Sequence, residues 1–224
     1  MSNDINIVVA DSATGINTLV TANLSTEREV IILSKNDQLV ARVDGEENDL
    51  TLLNTATKFD YEPESTYGYR FDGDRSGSTV SVALSRDGIE YLESSIELPM
   101  PIGISAPTEN ETFNVRDSIS MAWVADNTTD NMRVTFFGWC EPTDNTEPSN
   151  LISLSHAVDV LDTGSLTIAI EDIVKAGFSS VSTLPNGAVC STTISMKREK
   201  IESDFESGTI TATQYDNVEV TIVL

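Results

Sequence analysis

Hydrophobic and polar positions alternate with period two along most of this chain, in short runs rich in Val, Ile, Thr and Tyr. The runs recur at roughly 8–12-residue spacing, bounded by Gly, Asn, Asp and Ser clusters, which is the signature of an all-β protein. In the first half the pattern predicts strands over Ile5–Ala10, Asn17–Leu24, Arg28–Leu33, Gln38–Val43, Asp49–Leu53, Tyr67–Phe71, Ser78–Leu84 and Ile89–Ser95. Leu39/Ala41/Val43, Tyr67/Tyr69/Phe71 and Val80/Val82/Leu84 each share one face and are expected to point inward. Asp44-Gly45, Asp72-Gly73 and Asp87-Gly88 are turn signals, and the last sits where a hairpin would close.

The alternation stops at Ile96-Glu97-Leu98-Pro99-Met100-Pro101-Ile102-Gly103-Ile104-Ser105-Ala106-Pro107. Prolines lack a ladder donor, so this stretch reads as an extended joint and not as a central strand. It divides the chain into an expected N-terminal β-sandwich domain, 1–98, and a second domain, 104–224. Alternation resumes over Asp117–Val124, Asn131–Cys140, Thr163–Ile170, Ala188–Lys197 and Gly208–Leu224. Glu171–Gly177 is the one helical-looking stretch, with acids first and then Lys175 and Gly177, and it reads as a crossover between sheets. Asp126–Asp130 and Glu141–Asn150 read as polar loops.

Two cysteines sharpen this picture. Cys140 lies in phase with Val134 and Phe136, and Cys190 with Thr192, Ile194 and Met196. Both sulfurs fall on apolar faces, so the expectation is an intradomain disulfide and an oxidising compartment. The same phase turns Phe137 and Trp139 outward, which makes them the candidate binding surface, for sugar, a protein partner or the neighbouring domain. Trp123 follows Ile119 and Met121 at period two and is expected in the core, as are Tyr61, Tyr67 and Tyr69, for which a sugar platform is the alternative.

The formal charge is −23, with 13 basic and 36 acidic residues in 224. The acidity divides evenly about Pro101, so it belongs to the whole surface and disfavours nucleic acid and anionic lipid as partners. No window approaches a membrane span of about 18 apolar residues. Met1-Ser2-Asn3-Asp4-Ile5 lacks the basic start and apolar stretch of a secretory signal, so the expectation is that such a segment has been removed.

Pro107 followed by Arg116-Asp117-Ser118-Ile119-Ser120-Met121-Ala122-Trp123 resembles the opening of immunoglobulin-like and fibronectin-III-like domains. Trp123 precedes both cysteines here, whereas antibody-type domains place the tryptophan between them. The chain also resembles uncharacterised proteobacterial envelope proteins of the lipoprotein type through Leu98-Pro99-Met100-Pro101, Gly138-Trp139-Cys140, Asp162-Thr163-Gly164 and Cys190. A lipidated N-terminal cysteine is not among the matches. The resemblance implies an immunoglobulin-like second domain, an envelope location and no activity. With the strand pattern and the proline joint, the expected fold is all-β, two tandem β-sandwich domains, the second immunoglobulin-like with one short helical crossover.

Candidate chemistry is sparse. His156 is the single histidine, Asp159 lies three residues on, and no Gly-x-Ser-x-Gly elbow occurs. Asp72-Gly73-Asp74-Arg75-Ser76-Gly77 opens like a calcium loop, yet its twelfth position is Ala83, so no EF-hand closes. Calcium on loop carboxylates such as Asp126, Asp130 and Asp144 stays open. No cofactor, catalytic residue or metal ligand is assigned. The expected role is a non-enzymatic secreted, periplasmic or cell-surface binding or structural module for an unknown protein or carbohydrate. Two alternatives stand beside it: a filament subunit using Val218/Val220/Ile222/Leu224 for strand addition, and a carboxylate-based glycosidase.

Overall fold

A computed structural model of the chain describes residues 2–12, 15–25, 32–57, 63–126, 131–141, 152–178, 187–205 and 208–224. The chain divides into two compact units, Met1–Met100 with Glu199–Gln214, and Pro101–Arg198 with Tyr215–Leu224.

The first unit contains β1 (Ser2–Ser12), β2 (Gly15–Ser25), β3 (Asp37–Val43), β4 (Glu46–Asp49), β5 (Thr51–Thr57), β6 (Pro63–Asp72), β7 (Thr79–Arg86) and β8 (Ile89–Glu97). One sheet has the order β4-β3-β7-β8, and β1, β2, β6 and β5 lie side by side in another. Val20, Ala22, Tyr67 and Phe71 from the second sheet pack with Leu39, Ala41, Val43, Val80, Val82 and Ile96 from the first. The alternating faces read from the sequence are thus the core faces, with Tyr69 and Leu84 half-buried at its margin. At Asp44-Gly45 and Asp87-Gly88 both residues have positive φ, which the two-residue turns of hairpins β3–β4 and β7–β8 require.

Two sequence readings change here. Asp49–Leu53 is not one strand: β4 ends at Asp49 and β5 begins at Thr51. Between them Leu50 turns into the core, its N–H donating to the Leu39 carbonyl, as the chain passes from one sheet to the other. Of Arg28–Leu33, residues 28–31 fall outside the described residues, and Leu33 lies in a loop where its N–H donates to the Tyr67 hydroxyl at 2.8 Å. Tyr61 also falls outside them.

The second unit holds β9 (Glu111–Asn114), β10 (Ser118–Ala122), β11 (Asn131–Glu141), β12 (Ile152–Leu161), β13 (Ser165–Ala169), α1 (Ile170–Gly177), β14 (Val189–Phe205) and β15 (Gly208–Val223). One sheet runs β12-β11-β14-β15, with β9 pairing parallel to β15, and β10 and β13 form the other. Ile119 and Met121 from the two-stranded sheet share a core with Val134, Phe136, Ile194, Met196, Val220 and Ile222. The chain lays β9 on the large sheet, passes to the small one for β10, crosses back for β11 and β12, returns for β13, and crosses again through α1. That is an immunoglobulin-like sandwich with one short helical crossover. Strands β9 and β12 escaped the sequence reading, β9 because it has four residues. Residues 127–130 and 142–150 of the expected loops lie outside the described residues.

The division of the chain is not a single cut. β14 and β15, of 17 and 16 residues, are far longer than the usual strand and continue past the second unit. Ile210 and Ala212 consequently belong to the first core. Where the sequence suggested 1–98 and 104–224, these compact units place 199–214 with the first, and Ile102 is fully buried in the second core. A chain of residues 101–224 in which 199–214 is replaced by an Asn-Gly turn is expected to be monomeric and to melt cooperatively. A broad, non-cooperative melt in calorimetry would contradict this division.

Candidate functional site

Strand β14 is fixed at two points, and both decide which side chains its sheet shows to solvent. At one end Cys190 stands opposite Cys140 of β11 in the antiparallel register, and the two are bridged. Both are fully buried. The bridge therefore joins neighbouring strands of one sheet, unlike the inter-sheet bridge of antibody-type domains. Closing a loop of 50 residues, it stabilises the fold by about 4 kcal/mol on the chain-entropy account. Gly138 belongs to the same tight contact. A Cβ there would meet the Ser191 carbonyl and would stand 2.8 Å from Thr192 Oγ1, so a larger residue forces β11 and β14 apart.

At the other end Arg198 continues the inward phase of Cys190, Thr192, Ile194 and Met196 and is wholly buried. Its Nε donates to Asp162 Oδ2 at 2.7 Å, and neither side chain of this pair is exposed. Its Nη2 donates to the Val124 carbonyl at 2.7 Å, and its Nη1 to that of Pro101 at 3.4 Å. The indole N–H of Trp123 donates to Asp162 Oδ1 at 2.8 Å, and the Asp126 N–H to Oδ2 at 3.2 Å. Trp123 is thus the core residue the sequence suggested, with a hydrogen-bonding duty the sequence did not show. The cluster draws together the start of the unit, the segment after β10, the β12–β13 corner and β14.

Opposite these inward residues, Phe137 and Trp139 point out, 46% and 48% exposed, with rings meeting edge to face at 5.7 Å. Their cross-strand partners are Ser155 and Ser153 on β12 and Thr193 and Ser191 on β14. His156 pairs with Phe136 on the inner face and stacks on its ring, at a centroid distance of 6.3 Å. Asp159 lies on the other face, bound to Arg133, so the two do not form the acid–base half of a triad.

Carboxylates gather mainly around arginines. Glu47, Glu93 and Glu90 accept from Arg42 at 2.8, 3.0 and 3.1 Å, and hydrogen bonds to Glu47 and then Glu90 raise the guanidinium pKa further above its ordinary value. In the calcium-like motif Asp74 accepts the Ser76 N–H at 2.8 Å, and Arg75 reaches Glu46 at 2.7 Å, which makes it a self-bonded turn. Among the described residues no three or more His, Cys, Asp or Glu converge as metal ligands. Asp130 and Asp144 lie outside those residues, and Asp126 is buried in the Asp162 cluster. The terminal strand β15 is paired within the chain, with Val218, Val220 and Ile222 in its own core, so it is already occupied and the strand-addition reading loses its donor. Among the described residues no helix is long and apolar enough to cross a membrane.

No protein-family model matches this chain, and no curated protein matches its sequence. Among solved structures it is similar to the full ectodomain, Ig1–Ig3, of mouse nectin-like molecule 4. The two are 13% identical, with 98% of this chain and 65% of that one covered and a TM-score of 0.27. A likeness at that level carries no argument about partners. The fold and site define a class, an all-β protein of the immunoglobulin-like sandwich type, on the strength of this chain's own strand order and core.

Two outcomes check this geometry. Asp162→Ala takes the buried carboxylate away from the Arg198 guanidinium, so it should cost about 3–5 kcal/mol in denaturant unfolding. Asp162→Leu with Arg198→Met should cost much less. Equal losses would mean that the ion pair is not what makes the single change costly. Thiol titration of the denatured, unreduced protein should find no reactive cysteine, and two free thiols would contradict the bridge.

Proposed function

We propose that the chain is a non-enzymatic binding module working outside the cytoplasm, in secreted or envelope-attached form. Its two units act as separate domains, and its contact surface is the outward face of β11 with β12 and β14. The observation that carries this reading is the exposure of Phe137 and Trp139 side by side on a sheet whose register is held by a disulfide and a buried ion pair. Exposed aromatics on a rigid sheet cost little entropy to engage and remove much apolar surface from water on contact. The disulfide supports an oxidising location, and the resemblance to proteobacterial envelope proteins points the same way. The even acidity supports a protein that stays dispersed and keeps away from nucleic acid.

The test uses Phe137→Ser with Trp139→Ser. Both positions are on the surface, so the melting midpoint should stay close to that of the parent, as for surface changes worth within about 0.5 kcal/mol. Retention of the protein on an insoluble envelope fraction in a co-sedimentation assay should fall at least tenfold. Unchanged retention would overturn the reading of this face, as would a loss of retention that merely follows unfolding.

A further inference from the structure

We infer that this face binds a single chain of neutral polysaccharide, an inference that rests on the contact-surface reading above and names its ligand class. The antiparallel register sets three rows across β12, β11 and β14: Ser153–Trp139–Ser191, Ser155–Phe137–Thr193 and Ala157–Thr135–Ser195. Alternation and exposure place all nine outward. None is charged, six carry hydroxyls and two are aromatic, on a chain with a net charge of −23 and 22% charged residues. Charge returns at both ends, in the row Asp159–Arg133–Lys197 and at Glu141. From strand spacing and rise, the uncharged block measures about 10 Å across the strands and about 14 Å along them.

The chemistry of the block selects among occupants. A hydroxyl both donates and accepts, so an array of them matches the hydroxyls of a sugar in either orientation. The faces of sugar rings present C–H groups, which suit the negative face of an indole. The cores of protein interfaces share the aromatics but are depleted in serine, which supplies four of the nine positions here. The chain's net charge of −23 repels an anionic polymer at long range, so the ligand is neutral. The rings of Phe137 and Trp139 lie at 82° to one another and form no common plane. That suits one chain with a sugar resting on Trp139, and not a flat crystalline surface. Short Ser and Thr side chains lose little rotamer entropy on contact.

The experiment is native affinity electrophoresis of the full chain in gels containing a neutral β-glucan, a galactomannan or anionic alginate. The acidic chain migrates readily, so retardation reports binding. At least one neutral polymer should retard it, and alginate should not. Trp139→Ala should weaken that retardation at least tenfold, and Ser155→Asp with Ser191→Asp should abolish it, with melting midpoints unchanged. Retardation by neither neutral polymer overturns the inference, as does retardation that survives Trp139→Ala. Concentration-dependent dimerisation in sedimentation velocity, lost in Trp139→Ala, without retardation, would make the occupant a second copy. It would overturn the sugar while leaving the contact surface standing. Loss of envelope retention in the double-serine variant, again without retardation, would separate the two readings in the same way.

Discussion

A buried guanidinium cannot shift by one residue along its strand, and the second unit is organised around that constraint. Arg198 is fully buried and held by Asp162 and two backbone carbonyls. A one-residue slip of β14 would carry it to solvent, take the guanidinium away from the buried Asp162 carboxylate, and put hydroxyl side chains into the core. Cys190, eight positions away on the same face, applies the same condition at the other end through its bridge to Cys140. Desolvating the ion pair is costly in itself, so its effect lies in specifying the register more than in adding net stability.

Everything the outer face presents follows from that register. With Cys140 held inward opposite Cys190, Phe137 and Trp139 have no alternative to the outside, and Gly138 allows the strands to close between them. Hydroxyl residues that would be costly to bury line up beside the aromatics on both neighbouring strands. On the inner face Thr192 has a buried Oγ1 with no hydrogen-bond partner, beside the place where a Cβ on residue 138 would collide. That local cost is consistent with two strands drawn closer than their side chains would choose, and it sits directly beneath the exposed pair.

Much of this was legible in the sequence because strand alternation is a simple code. The faces of β3, β6, β7, β11 and the first part of β14, the hairpin turns at Asp-Gly and the helix at 170–177 all follow from period two, turn chemistry and end charges. Arg198 did not follow, since Lys197-Arg198-Glu199-Lys200 reads as a solvated charge run. Extending the Cys190–Met196 phase by one more step would have placed it inside. β12 was missed although Ile152, Leu154, Val158 and Val160 alternate cleanly, because His156 interrupts the apolar face at its centre. The passage of β14 and β15 into the first unit has no local signal at all, as nothing in Glu199–Gln214 distinguishes one core from another. The uncharged block was likewise hidden, because its nine residues come from three strands and meet only through their register.

The central claim, that β11 and β14 are locked with Trp139 outside and Trp123 inside, is tested most directly by acrylamide quenching of tryptophan fluorescence. The chain has two tryptophans, so Trp139→Phe leaves Trp123 as the sole emitter. The account predicts that the unmodified protein shows one accessible and one protected component. The variant should keep only the protected one, with blue-shifted emission. If instead the variant loses the protected component and its remaining tryptophan is quenched like free indole, the register is not the one described, and the face built on it does not exist.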